Sequence, residues 1–304
     1  MHSIIEALLP IFSLIALGYG FRRYRFPSGD FWRTADRLTY YVLLPALIIE
    51  KLATTEFEAA NIYSLTGLLM LIVIATACFT LLIRKLLPVS AASFTSVFQG
   101  SIRPNTYVAL AAAVALYGPE GLGLTALGLA GVIPLVNILC ILAFAYFVPG
   151  KSKGVGGILK SVVSNPLVVA CMVGILLNLS TFGLPYVTHD IFKIVSTAAL
   201  PMGLISVGTG LRKIDNFSDF IPIGITSLIK LILMPILAYF VFTFMGSEEL
   251  TTSIAVLFAS VPCAVSAYIL AGHLHGDQKL MATIITIETI VAVVTMPLML
   301  LLVY

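Results

Sequence analysis

Charge is what this sequence has least of. Only 10% of its 304 residues are Asp, Glu, Lys or Arg, against about 25% in an ordinary soluble domain. With 60% of residues hydrophobic and a mean hydropathy of +1.08, the solvent of this chain is lipid. Cysteine is scarce as well. The four cysteines, Cys78, Cys140, Cys171 and Cys263, all lie inside apolar runs. No CxxC or Cys/His spacing accompanies them, which argues against a disulfide framework or a zinc site. Also missing are a nucleophile elbow, a P-loop, an HExxH helix and a dinucleotide fingerprint. An enzyme or an ATP-driven pump therefore has no support, and no cofactor, metal or nucleic-acid partner is expected. The first apolar run precedes its basic cluster (Arg22, Arg23, Arg25) instead of following one, so it does not read as a secretory leader. Every connection between apolar runs is short, so no soluble domain is expected among them.

What the sequence does have is apolar runs of about 20 residues, the length that spans a bilayer as a helix. Ten are found, at roughly 3–21, 36–53, 63–86, 91–117, 121–147, 161–180, 187–210, 219–245, 249–273 and 279–303. The loop charges alternate with them. Arg22, Arg23, Arg25, Arg33, Arg37, Arg84, Lys85, Lys151, Lys153, Lys160, Arg212, Lys213 and Lys279 all fall on one side, which is 13 of the 17 basic residues. Glu56, Glu58, Glu120, Asp190, Glu248 and Glu249 fall on the other, with Lys51 as the clear base there. Basic residues resist translocation, so the first side is cytoplasmic. The expected topology is multi-pass in the cell membrane, with both termini outside the cytoplasm.

The two halves echo one another. "YYVLLPALIIEKL" in run 2 and "VSTAALPMGLISVG" in run 7 share a Leu-Pro centre at Pro45 and Pro201, while "NTYVALA" in run 4 answers "SAYILAG" in run 9. Each pair lies five runs apart. An odd offset makes the halves opposite in orientation, the inverted-repeat signature of secondary transporters. The fold expected is thus all-α, with ten transmembrane helices in two inverted five-helix repeats, residues 1–150 and 151–304.

Runs 4 and 9 are interrupted, run 4 at Arg103-Pro104-Asn105 and run 9 near Pro262 in "FASVPCAVSAY". Proline removes a backbone donor and clashes with the preceding turn. In lipid such breaks survive only inside protein or beside a wet cavity. Pro45, Pro134, Pro201, Pro235 and Pro297 also lie in spans and read as kinks. The difference at runs 4 and 9 is the polar company. Gln99, Ser101, Arg103, Asn105 and Thr106 flank one break, and Ser260, Cys263 and Ser266 the other. Half-helix N-termini at such breaks favour an anion and C-termini a cation.

Three charges lie deep: Arg103, Lys230 in "SLIKLILMP" and Glu288 in "ITIETIVAV". Each is roughly 10–12 residues from the cytoplasmic end of its run, about 15–18 Å at helical rise. A charge at that depth costs at least about 2.5–3.5 kcal/mol. A Lys230–Glu288 ion pair is one way to hold them. Lys230 capping carbonyls freed by a broken helix is another. Two cations against one carboxylate leave an excess positive charge that an anionic substrate would neutralise. Arg103, Pro104, Asn105, Thr106, Pro262, Cys263 and Ser266 are the candidate substrate-binding residues. Glu288 and Lys230 are candidates for charge balance or proton coupling, and Gln99, Tyr107, Asn137 and Ser260 for cavity lining. Tyr41 and Tyr107 each fit an interfacial belt or a site. His273 and His275, two residues apart, do not share a helix face and read as a loop at a helix end. Glu6, Glu50, Lys51 and Lys193 lie near outer ends, where they can snorkel to water. The Asn178-Leu-Ser180 stretch lies at the membrane surface and is not read as a glycosylation site.

The sequence resembles the auxin efflux carrier family, also called the PIN-like or malate-permease family. The likeness rests on "ALLPIFSLIALGYGFRR", "YYVLLPALIIEKLA", "SIRPNTYVALAAAVALYGPEG", "SLIKLILMP" and the proline segment of run 9 ending in "HLHGDQ", and it runs the length of the chain. The short central connection is similar to that of bacterial members. The resemblance implies a scaffold of helices 1, 2, 6 and 7 that forms a homodimer, and a transport domain of helices 3–5 and 8–10 with helices 4 and 9 crossing at the substrate site. It also implies elevator-type alternating access and small organic anion substrates. The family's helix 4 asparagine matches Asn105. Ser266 stands where helix 9 carries the corresponding residue, a departure from the pattern. With Glu288 the one acid near the crossing, proton coupling or potential-driven uniport is expected, not sodium coupling. The alternatives from other classes are a non-transporting membrane sensor or scaffold and an anion channel.

Overall fold

The computed structural model describes residues 2–55, 59–148, 164–180, 183–212 and 220–303. Lys151, Lys153, Lys160, Lys213, Glu56 and Glu58, which helped to set the expected topology, lie outside them, as does the expected boundary between the halves.

Among the described residues the chain is helical throughout. α1 runs His2–Arg23. α2 (Gly29–Leu38) passes through a π turn at Thr39–Leu43 into α3 (Leu44–Thr54). α4 (Ala59–Leu82) tightens into a 3₁₀ turn at Ile83–Leu86. α5 is Ala91–Ile102 and α6 is Thr106–Phe147, bent at Gly118. α7 (Pro166–Leu179), α8 (Tyr186–Thr197) and α9 (Ala199–Gly210) follow. α10 (Phe220–Leu228) joins α11 (Met234–Phe244) through a second π turn at Ile229–Leu233. α12 (Glu249–Ser260), α13 (Ser266–His273) and α14 (Gln278–Leu300) complete the chain. Six described stretches are long and apolar enough to cross a membrane: Ser3–Arg23, Ser64–Leu86, Thr106–Phe147, Val187–Gly210, Phe220–Phe244 and Gln278–Leu300.

Proline places the irregularities. Its ring meets the carbonyl four residues back. For Pro45 and Pro235 that carbonyl lies inside the π turns 39–43 and 229–233, which widen to accommodate it. For Pro201 it belongs to Thr197, where α8 ends and α9 takes over. At Pro104 and Pro262 the helix does not merely widen; it stops. Gly118 takes φ 64° just before Pro119, a left-handed turn that suits glycine. It separates the arm after the first break from the next helix.

The expected runs and the observed helices differ most at the second run. It was read as starting at residue 36, whereas helix begins at Gly29, with the Ser28 hydroxyl accepting from the Phe31 amide. This first stretch carries Asp30, Arg33, Asp36 and Arg37, so an apolar-run criterion passes over it, although its strong amphipathic pattern is helical.

α1 lies against α9, α3 against α7 and α8, and α11 and α14 against α12. The closest approach is between α1 and α9. A Cβ on Gly208 would strike the Ile15 carbonyl oxygen, and one on Gly18 the Ile205 carbonyl oxygen. Two glycines bring the backbones together, as small residues do in membrane helix pairs. Neither contact can be relieved by a rotamer change, because the obstructing atoms are backbone. Gly208→Ala is expected to destabilise the protein by about 1–3 kcal/mol, read as a lower melting temperature of the detergent-purified protein. Gly224→Ala, whose Cβ meets open space, should leave it within about 0.5 kcal/mol of wild type.

Candidate functional site

The two breaks meet. Residues 103–105, between α5 and α6, lie antiparallel to residues 262–264, between α12 and α13, as a single bridge of Pro104 with Cys263. The Asn105 amide donates to the Pro262 carbonyl (2.9 Å), and the Ala264 amide donates to the Arg103 carbonyl (3.3 Å). Each unwound segment thus satisfies part of the other's exposed backbone. Four helix ends converge here: the C-termini of α5 and α12 and the N-termini of α6 and α13.

Side chains satisfy the remainder. Asn105 caps α6, its Oδ1 accepting from the Val108 amide at 3.3 Å. Lys230, fully buried, projects from the π turn and donates to the Ala259 carbonyl at the end of α12 (3.1 Å), with Met234 Sδ 3.4 Å away. Glu288, also fully buried, accepts the Cys263 amide on Oε2 at 2.8 Å. A cation therefore sits at a helix C-terminus and an anion at a freed amide, the arrangement that helix-end electrostatics favours. Lys230 and Glu288 feel each other's charge but form no ion pair among those described. Of the two alternatives open at the sequence level, the geometry is that of the carbonyl cap.

The crossing has a closed face and an open one. Pro104, Asn105, Cys263, Lys230 and Glu288 are buried, whereas Arg103, Thr106, Tyr107, Ala264, Val265 and Ser266 are half-buried. On the open face Arg103 Nη2 donates to Ser266 Oγ (3.3 Å), linking the two breaks through their side chains. Arg103 Nη1, Asn105 Nδ2 and Tyr107 Oη are buried atoms with no hydrogen-bond partner. All three can donate, and no carboxylate pairs with Arg103 among the described ion pairs.

The other expected site residues fall as follows. Ser260 bonds back to the Leu257 carbonyl of its own helix (2.9 Å) and is fully buried, so it does not line the open face. A serine hydroxyl near a helix end has a local acceptor within reach and takes it. Gln99 is buried, its Nε2 toward Met281 Sδ (3.9 Å) and its Oε1 unpartnered. Asn137 is half-buried, one turn before Cys140. Tyr41 is 59% exposed and packs edge-on against Tyr40, which places it on the outer surface. Glu50 was expected to snorkel but is only 3% exposed, held by Lys51 Nζ (3.0 Å) and near His189 Nε2 (3.8 Å). Its helix packs that face against α7 and α8. Asn178 is occupied as a donor to the Thr55 carbonyl (2.8 Å). His273 ends α13, and His275 has φ 58° in the turn that follows. No cluster of metal-ligating residues occurs among the described residues.

Sequence reasoning missed Tyr40 and Asn165. Tyr40, in the first π turn, places its hydroxyl 3.5 Å from Asn165 Oδ1, and Asn165 caps the N-terminus of α7. Tyr107 lies flat against Gly203 of α9, where a Cβ would collide with its ring. An Asn-Pro pair opening a helix was a legible cap signal; its meeting with Tyr40 was not.

A family model described as "Membrane transport protein" matches residues 3–155 and 155–300. The chain belongs to this family, that of the auxin efflux carriers. It is a multi-pass membrane transport protein and not an enzyme. Relatives include a protein of Rhizobium meliloti named "Putative malonate transporter", 25% identical, with 97% of this chain and 94% of the relative covered. Another is an "Uncharacterized transporter" of Methanothermobacter thermautotrophicus, 26% identical over 96% of each chain.

Removing Lys230 should uncap Ala259 and strip Glu288 of its neighbouring charge. Lys230→Met is expected to destabilise by about 1–3 kcal/mol. The added change Glu288→Gln, which removes the stranded carboxylate and keeps an acceptor for the Cys263 amide, should recover part of that loss. A double-mutant cycle of thermal melts measures the coupling.

Proposed function

We propose that this protein is a carrier of small organic anions, carboxylates in particular, with its substrate site on the open face of the crossing. The observation that carries the reading is the trio of unpartnered donors, Arg103 Nη1, Asn105 Nδ2 and Tyr107 Oη, beside the N-termini of α6 and α13. Buried donors without acceptors are costly, and a carboxylate supplies the missing acceptors and neutralises the guanidinium at once. Arg103 would hold the carboxylate while Asn105 and Thr106 orient it. Pro104, Pro262, Cys263 and Ser266 shape the crossing. The malonate named for one relative is an anion of this class.

The carrier works by alternating access of the elevator type, with ten helices in two inverted repeats, 1–150 and 151–304. The antiparallel, reciprocal bonding of the two breaks supports an inverted relation between the halves. The packing supports a division into a scaffold (α1, α2–α3, α7, α8–α9) and a transport domain (α4–α6, α10–α14). α1 pairs with α9 and α3 with α7 in the first, and α4 with α6, α11 with α12 and α12 with α14 in the second. In this scheme the protein is a homodimer in the cell membrane with both termini outside. Glu288 Oε1, buried without a donor, is where a coupled proton would bind, with Lys230 fixing the balancing charge.

Arg103→Ala is expected to abolish carboxylate uptake into proteoliposomes, with a thermal melt near wild type. Undiminished uptake would overturn the assignment. Labelled substrate accumulating against excess internal unlabelled substrate should occur for a carrier and be absent for a channel. A sensor or scaffold would show no flux.

A further inference from the structure

We propose that Arg212 is a positioning residue for transport, a latch that holds the scaffold and the transport domain in the arrangement described above and so sets the balance between this position and the other end of the cycle. This rests on the reading of the carrier as two bodies and extends it to the residue that ties them together.

The polar contacts of the fold stay almost wholly inside one group of helices or the other. Within the scaffold, Arg22 Nη1 donates to the Thr209 carbonyl (2.8 Å), Tyr40 faces Asn165, and Asn178 Nδ2 donates to the Thr55 carbonyl. Within the transport domain, Ser93 and Ser96 bond to Asp277, Arg103 bonds to Ser266, and the two breaks bond to each other. Of the described hydrogen bonds, two run from one group to the other, and Arg212 makes both. Its backbone amide donates to Thr286 Oγ1 on α14 at 3.0 Å. Its Nη2 donates to the Tyr268 hydroxyl on α13 at 3.5 Å, and the guanidinium lies over the same ring, 5.1 Å from the centroid. At 3.5 Å the side-chain bond is weak by itself; the cation over the aromatic face strengthens the contact. Elsewhere the groups meet through contacts such as Tyr107 on Gly203 and Val265 near Gly210.

Arg212 stands two residues past the end of α9, where the chain leaves the scaffold for α10. Its partners are themselves braced. Thr286 Oγ1 donates to the Ala282 carbonyl (2.8 Å), which leaves its lone pairs to accept from the Arg212 amide. The Tyr268 carbonyl accepts from Gln278 Nε2 on α14 (3.3 Å). On the scaffold side, Arg22 grips Thr209, three residues before Arg212. A displacement of one group against the other therefore breaks the Arg212 contacts or drags the end of α9 along, whereas a side chain leaves a glycine without losing a hydrogen bond. An equilibrium between two positions shifts only by the difference in interaction free energy between them. A contact made in one position and broken in the other supplies such a difference.

The test uses the full-length protein in proteoliposomes, with Cys78→Ser removing the exposed thiol. Spin labels are placed at Ile194→Cys on α8 and Val294→Cys on α14, both exposed positions, so that pulsed EPR distances read one group of helices against the other. In the otherwise unaltered protein the position described here should be the most populated. Arg212→Gln keeps the backbone bond and removes the stacked cation, and Thr286→Val keeps the volume and removes the acceptor. Each should lower the ratio of held to released protein about threefold, and the two together about tenfold. Arg212→Lys, which returns a cation to the face of Tyr268, should recover part of the shift, an effect that a merely structural role does not give. A ratio unchanged in all the variants, or moved toward the held position, overturns the latch and leaves the two bodies standing. A single distance that is the same in every variant, with malonate added or without, overturns the two-body reading itself.

Discussion

Hydrocarbon tolerates no unpaired backbone amide or carbonyl, and this protein breaks two helices in the middle of its apolar mass. Everything about the crossing answers to that constraint. The two unwound segments bond to each other through Asn105 to Pro262 and Ala264 to Arg103. Lys230 takes up the Ala259 carbonyl and Glu288 the Cys263 amide. The deep charges first look like an extravagance. Two of them instead complete secondary structure that proline has cut open, and their signs match the helix ends they meet.

Arg103 is different. Its backbone takes part in the crossing, but its side chain donates to Ser266 and keeps a buried nitrogen without an acceptor. The crossing thus has a buried side, where Lys230 and Glu288 cap the broken helices, and a half-buried side, where Arg103 meets Ser266. Glu288 lies on the buried side, bound to the Cys263 amide.

The packing around this point combines close backbone contacts with softer ones. At α1 and α9 the glycines Gly18 and Gly208 leave no room for a side chain. Tyr107 on Gly203 and Val265 near Gly210 are contacts of side chain on backbone, which can part without breaking a hydrogen bond.

Much of this was determined by sequence alone. Apolar runs and proline positions are local properties, and so six membrane-length helical stretches, both breaks and the polar residues beside them were legible. The start of α2 was not, because its charged residues hide a helix from a hydropathy criterion. Nor was the inward turn of Glu50. The tertiary structure decided which groups meet. Asn105 and Pro262 lie far apart in the chain, as do Lys230 and Ala259, and Tyr40 and Asn165. Hydrophobicity is a property that each residue carries along the chain. The partner of a polar atom exists only once the helices have packed.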